Sequence, residues 1–237
     1  MIKIIIPVWN LLSCTRTAIY TIQSNSNPHE YEIIVIDNGS TDGTGLWLKQ
    51  NNIEHITNKS NLGVTVAWNQ GLEAALNSNA STIALLNNDI YVGKYWLNGI
   101  TNAINENRKA YFLANGAFDN PTTLNSDIDN HYNNLKGKRT YGRAGWAMFF
   151  PRKAVEIFYP IPPQLILWHG DDYIHDTLYA NNYICEVVME CCIIHFGSQT
   201  FYTYPDYVKQ VATDLIEWNK YRTTTNLVPS ERIIEHD

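Results

Sequence analysis

No stretch of this chain stays apolar for the roughly 18–20 residues that a bilayer-spanning helix needs. The opening Met-Ile-Lys-Ile-Ile-Ile-Pro has no separate basic region and no small-residue cleavage site, so it does not read as a secretory signal, and a cytoplasmic location is expected. Paired cysteine spacing is also missing. Cys14, Cys185, Cys191 and Cys192 form no CxxC, and two of them are adjacent inside an apolar run, which favours buried thiols over zinc ligands or disulfides. Basic residues are in deficit: 17 Lys and Arg against 23 Asp and Glu give a formal net charge of -6, a poor match to nucleic-acid phosphates. No segment repeats another.

What remains is a chain of 237 residues, 45% hydrophobic, long enough for one sizeable core. Strand and helix signals alternate through its first half. Residues 3–8 and 32–36 are β-branched runs, apolar continuously rather than alternately, as interior parallel strands are. Residues 13–24 can form a helix between them. Ser40-Thr41-Asp42 can cap a second helix through Leu46 and Leu48, residues 53–56 read as a third strand, and a helix carrying Val66, Ala67, Gln70, Ala74 and Ala75 follows. Residues 82–86 make a fourth strand. This βαβαβαβ order predicts a parallel sheet flanked by helices.

The second half is less regular. Residues 115–142 are rich in Asn, Asp, Thr and Gly and read as a long loop, the kind of segment that serves as a lid or an acceptor-recognition surface. Residues 145–150 read as a strand, 172–181 as a helix, and 185–194 as an apolar run ending at His195. Residues 207–221 place Val208, Val211, Leu215 and Trp218 at helical spacing, which predicts an amphipathic helix packed on the body. The expected division is one main domain over residues 1–200, with halves at 1–90 and 91–200, and a C-terminal helix and tail at 201–237 packed on it.

Polar groups fall where strands should end. Ile36-Asp37-Asn38-Gly39-Ser40-Thr41-Asp42-Gly43-Thr44 closes one run, Asn87-Asn88-Asp89 closes another, Gly170-Asp171-Asp172 opens a helix, and His195 closes a third run. Ligand crevices of open α/β sheets lie outside the carboxyl ends of the strands, and this set suits a divalent metal with a phosphorylated ligand.

In this order and spacing, those segments resemble the family-2 glycosyltransferases, inverting nucleotide-sugar enzymes of the GT-A fold. The likeness also includes Ile5-Ile6-Pro7-Val8-Trp9-Asn10, Asn61-Leu62-Gly63 with Trp68-Asn69-Gln70-Gly71, Leu85-Leu86, Gly145-Trp146-Ala147-Met148 and Ile194-His195-Phe196-Gly197-Ser198. It extends from Ile4 to about residue 200. The resemblance implies an α/β fold with a mostly parallel central sheet and a nucleotide-diphosphate sugar donor. A UDP-sugar is the first choice, with GDP- or dTDP-sugars as alternatives. The acceptor would be a glycan, glycolipid or glycoprotein; nothing in the sequence sets an oligomeric state.

Residue by residue, the resemblance makes Asp89 the carboxylate that binds Mn²⁺ or Mg²⁺, with His195 completing the coordination. Asn87 stands where the family's first Asp-X-Asp aspartate is usual. It and Asn88 would meet the donor by hydrogen bonds. Asp37 and Asn38 would face base or ribose, Pro7, Val8 and Asn10 would pack around the base, and Asn61, Gly63 and Asn69 would lie on the phosphate and sugar side. Inversion needs a carboxylate to take the acceptor's proton. An ungapped overlay puts Asp171 on the family's base and leaves Gly170 where Glu is usual; a one-residue slide puts Asp172 there instead. Trp146 and Trp168 could stack on an acceptor sugar or belong to the core. Two other readings stay open: a sugar nucleotidyltransferase, which should carry a Gly-rich basic loop where this chain has Pro7-Val8-Trp9-Asn10, and an inactive module that binds sugar nucleotide or glycan.

Overall fold

The computed structural model describes residues 1–107, 109–116, 124, 128–197, 206–225 and 227. Four parallel strands form one side of its sheet, in the order β3 (His55–Thr57), β2 (Tyr31–Asp37), β1 (Ile2–Val8), β4 (Thr82–Leu86). Successive side chains of a strand point to opposite faces, and the apolar runs therefore feed two cores. Ile4, Ile6 and Val8 join one with Ala18, Ile19 and Ile22 of α1 (Leu12–Ser24). Ile5, Ile34, Ile36 and Leu85 join the other with Ala67, Leu72 and Ala75 of α3 (Val64–Leu76). Helices on both faces are what continuously apolar strands require. A short α2 (Thr44–Gln50) links β2 to β3.

Beyond β4 the direction alternates. β8 (Ala147–Pro151) runs antiparallel to both β4 and β6 (Ala110–Asn115), and β6 is parallel to the long β9 (Ile184–His195). The β6–β9 register shifts between Ala114 and Asn115, which pair with Val188 and Cys192; such a bulge bends the strand. β9 then continues past β6 to pair with β5 (Ile90–Val92), setting Ile90 opposite His195. That pairing brings the strand-end group after β4 to the end of β9. Helix α4 (Trp96–Glu106) covers the first core with Trp96, Leu97, Ile100 and Ala103, while α6 (Arg152–Phe158) and α7 (Gly170–Ala180) cover the second.

Several expectations are corrected. The stretch 115–142 is not all loop: it holds α5 (Ile128–Leu135), tied by Asp129 to Lys94 and Tyr95, and β7 (Arg139–Tyr141), which pairs with β9. Residues 117–123 and 125–127 lie outside the described part, as do Ser198 and most of the tail beyond 225. Ser40 and Thr41 do not cap α2, whose N-cap is Gly43. Asp42 instead accepts from the backbone N–H of Thr44 at 3.1 Å and of Leu12 at 2.8 Å, serving the starts of α2 and α1 together. These hydrogen bonds outweigh desolvation, which alone would raise its pKa, and hold the carboxyl below its ordinary range. All four cysteines are free thiols, with Cys191 and Cys192 buried.

The last helix, α8 (Tyr207–Thr225), buries Asp214 and Trp218 against the body. Among the described residues no helix is long and apolar enough to cross a membrane.

Candidate active site

A cavity of about 320 Å³ opens at the carboxyl ends of β1, β2 and β4, lined by Pro7, Val8, Trp9, Asn38, Asn61, Val64, Trp68, Asn87, Asn88, Asp89, Gly145, Trp146, Leu167, Trp168, Asp171 and His195. Its first wall is held by an amide network. Asn38 Oδ1 accepts from the Leu62 N–H and from Asn58, each at 3.0 Å, and its Nδ2 donates to Asn61 Oδ1 at 2.8 Å and to the Gly63 carbonyl at 3.1 Å. With all its capacity used, Asn38 fixes the 58–63 loop. Asn61 Oδ1 also accepts from the Gly63 N–H at 3.0 Å, which orients its amide. Its Nδ2 has no partner among the described residues and remains a donor for a ligand.

At the strand ends three polar side chains converge. His195 Nε2 lies 3.2 Å from Asp89 Oδ1 and 3.4 Å from Asn87 Nδ2. The Asp89 carboxylate is buried, and the backbone supports the pair: the Phe196 N–H donates to the Asp89 carbonyl at 2.9 Å. Trp146 stacks on the His195 ring, centroids 5.2 Å apart and planes 5° from parallel, which limits its rotation. The Asn87 N–H donates to the Trp146 carbonyl at 2.9 Å. Asn88, though in the lining, sends its Nδ2 to Thr15 on α1 at 3.1 Å.

Among the described residues no three His, Cys, Asp or Glu side chains are grouped to hold a metal ion by themselves. The donors present nonetheless fit a hard divalent cation that takes its other positions from phosphate and water: one carboxylate, one imidazole nitrogen and a neighbouring amide whose half-turn exchanges Nδ2 for Oδ1.

The opposite wall carries Asp171 in the first turn of α7. A Cβ on Gly145 would fall 2.5 Å from Asp171 Oδ2 and 2.8 Å from its Cγ, so only glycine allows this approach. Desolvation pushes the Asp171 pKa up, and the neighbouring Asp172 charge pushes the same way. Asp172 has the contrary surroundings. Arg143 grips its Oδ1 at 2.6 Å through Nη2, and His169 Nδ1 lies 2.6 Å from its Oδ2. Desolvation opposes ionisation there too, but the His169 contact and the Arg143 charge prevail and bring the pKa down to about 2. Arg143 also bonds Asp176 at 2.9 Å. Buried His175 accepts from the Tyr111 hydroxyl at Nδ1, 2.5 Å, and donates from Nε2 to the Ala144 carbonyl at 3.3 Å. Burial lowers its pKa to about 4, consistent with a neutral ring fixing the 143–145 segment.

Of the residues singled out from the sequence, Pro7, Val8, Asn38, Asn61, Asn87, Asn88, Asp89, Asp171 and His195 line this one cavity. The structure places five others elsewhere. Asp37 is 1% exposed and accepts from the Ser40 N–H at 3.0 Å, which folds the turn. Asn10, in the left-handed region at φ 57, accepts from the Thr41 N–H at 2.8 Å. Gly63 approaches Ile166, whose carbonyl oxygen would lie 2.6 Å from an added Cβ. Asn69 is held on the Ile161 backbone, donating at 2.7 Å and accepting at 2.9 Å. Asp172 is occupied by Arg143 and His169. Asn10, Asn69 and Asp172 are claimed by partners distant in sequence, Thr41, Ile161 and Arg143, whereas Asp37 closes its own turn.

Trp9 lines the cavity with the rest of the Pro7–Val8 turn, and Val64, Trp68 and Leu167 line it without having been singled out as site residues. Trp68 sits on the inner face of α3, where the sequence reads as core. It also accounts for Gly170, since a Cβ there would lie 2.9 Å from Thr65 Oγ1 and 3.1 Å from Trp68 Cζ3.

The mostly parallel sheet flanked by helices is of the GT-A type. Residues 3–158, well over half of the chain, match the profile of Glycosyl transferase family 2, and the chain belongs to that family. The solved structures with similar folds include S. aureus TarS (TM-score 0.64, 14% identity, 94% of this chain and 72% of that one). They also include the mannosyltransferase PcManGT from Pyrobaculum calidifontis in complex with GDP-Man and Mn²⁺ (TM-score 0.66, 15% identity, 94% and 64%). A curated relative, glycosyltransferase AglE of Haloferax volcanii, is 30% identical over 102 residues, which are 40% of this chain and 33% of the relative. The match therefore spans about a third of that relative's length.

Proposed function

We propose that the chain is a metal-dependent inverting glycosyltransferase that moves a sugar from a nucleoside-diphosphate donor, with UDP-sugars the first to test, to a hydroxyl of a glycan or related acceptor. The observation that carries the reading is the shared cavity: Asn87, Asp89 and His195 stand on one wall and Asp171 on the other. Relatives in fold support the donor class, since PcManGT is described with GDP-Man and Mn²⁺.

Asp89 and His195 would hold the cation, with Asn87 beside them. When bound, a divalent cation supplies positive charge to the departing diphosphate. Asn61 Nδ2 would donate to the donor, and Pro7, Val8 and Trp9 would enclose its base. Asp171 acts as general base: it takes the acceptor hydroxyl proton while the acceptor oxygen bonds to the anomeric carbon and the bond from that carbon to the diphosphate oxygen breaks. One displacement inverts the centre. A raised pKa makes Asp171 a better proton acceptor than an exposed aspartate. Asp172, ionised and committed to Arg143 and His169, is suited to holding α7 rather than to exchanging protons. Trp168, 41% exposed beside Asp171, offers a ring surface on the acceptor side.

A panel of nucleotide sugars incubated with Mn²⁺, read as released nucleoside diphosphate, tests the reading. Slow hydrolysis of one donor without acceptor is expected. A protein that binds UDP but releases none from any donor would be an inactive binding module instead.

A further inference from the structure

The family match ends at residue 158, but the wall bearing Asp171 is anchored by α8, well outside it. Asp214 of that helix is 0% exposed. Its Oδ2 accepts from the backbone N–H of Leu167 at 2.6 Å and of Trp168 at 2.8 Å, and its Oδ1 accepts from Gln210 Nε2 at 2.7 Å. Both N–H groups belong to residues that line the cavity. One residue on, His169 takes the left-handed conformation at φ 66, ψ 0 and starts α7. Its ring stacks on Trp218 of α8, centroids 6.3 Å apart and planes 10° from parallel, while its Nδ1 meets Asp172. Segment 167–169 is thus gripped from α8 twice, immediately before Asp171.

A fully buried carboxylate is costly unless hydrogen bonds satisfy it, and here two of its three partners are backbone groups of the cavity wall. If Asp214 served only to dock α8, an apolar residue would suffice, as Trp218 already does. We propose that Asp214 is a positioning residue for the active site: through the 167–168 backbone it sets the place of Trp168 and Asp171, and α8 is a working part of the transferase. The catalytic half of this inference rests on Asp171 as base, whereas the grip itself does not.

The experiment combines amide hydrogen exchange with donor hydrolysis, using the full chain and the UDP-sugar that the parent turns over. In the parent, the Leu167 and Trp168 amides should exchange together with the α8 core, because one opening event exposes them. Exchange at loop rates while α8 stays protected would overturn the proposal without any variant. In Asp214→Leu, which keeps the branched shape but removes both acceptors, these two amides should lose at least tenfold in protection. Donor hydrolysis kcat should fall at least tenfold, and donor KM and UDP affinity should stay within about threefold, since Asn61 and Asp89 stand on other elements. Asp214→Asn retains an acceptor oxygen and should recover most of kcat. Parent-like kcat in a folded Asp214→Leu, or a loss that Asn does not relieve, contradicts the positioning role. If the parent hydrolyses no donor, the transferase reading fails and amide exchange alone judges the grip.

Discussion

The two walls of the cavity are built by different means. The wall bearing Asp89 and Asn61 hangs on the ends of parallel strands and is set by sheet register and by a local amide network around Asn38. The wall bearing Asp171 rests on a loop and a helix start, held by charged side chains from distant parts of the chain: Arg143 on Asp172 and Asp176, and Asp214 on the 167–168 backbone. A wall made of strand ends keeps its shape with little dependence on single side chains, so a substitution there should cost the ligand contact it removes and little of the fold. On the wall made of ionic grips, substitutions should show in stability where they remove a grip and in chemistry where they move Asp171, with donor binding changed little in either case.

Substitutions on the two walls should separate accordingly. The largest effect is expected at Asp89. Asp89→Ala should abolish metal-dependent binding of UDP and leave thermal unfolding close to the parent, because the backbone carbonyl that receives Phe196 is untouched. Calorimetric titration with Mn²⁺ checks this, and parent-like affinity would break the assignment. On the other wall, Gly145→Ala must displace the Asp171 carboxylate, so transfer should fall by roughly a hundredfold with donor affinity nearly unchanged. Steady-state kinetics separate kcat from KM.

Asp172→Asn should cost stability more than chemistry. A folded-state pKa of about 2, against the ordinary 3.8, sets an upper bound of about 2 kcal/mol at neutral pH, reduced by solvent screening of this partly exposed carboxylate. Because the folded pKa is depressed, this contribution is present above the ordinary carboxylate range and is lost as pH falls towards 2. The gap in unfolding free energy between parent and variant should therefore narrow with acid. The smallest effect is expected at His195: its Ala variant should weaken Mn²⁺-dependent UDP binding by about tenfold, roughly 1.4 kcal/mol, as the carboxylate remains.

The same contrast explains what could be read beforehand. Strands β1, β2 and β4 announce themselves by continuous apolar runs, and the polar groups at their ends follow from topology, so Asn38, Asn87 and Asp89 fall into place together. Strand β6 and helix α4 were missed although Tyr111-Phe112-Leu113 is apolar throughout and Leu97, Ile100 and Ile104 have helical spacing; dense polar residues around them masked the signal. Helix α5 was missed because its stretch is Asn-rich, and its contacts come from Lys94 and Tyr95 across the fold. No local pattern marks Asp214, whose backbone partners lie 46 and 47 positions away, and the apolar spacing of its helix points to the wrong face: Val208 and Leu215 are exposed, while Asp214 and Trp218 are buried. Likewise, the unlike surroundings of the adjacent Asp171 and Asp172 arise from Gly145 and Arg143, which sequence proximity does not disclose.

Asp171→Asn tests most directly whether binding resides on one wall and proton removal on the other. With the donor that the parent uses, UDP affinity in Mn²⁺ and the initial transfer rate should be measured on parent, Asp171→Asn and Asp172→Asn. Asp171→Asn should keep near-parent affinity with transfer reduced by roughly two or more powers of ten, and Asp172→Asn should retain substantial transfer. Loss confined to Asp172→Asn, or near-normal transfer in both, would contradict this division.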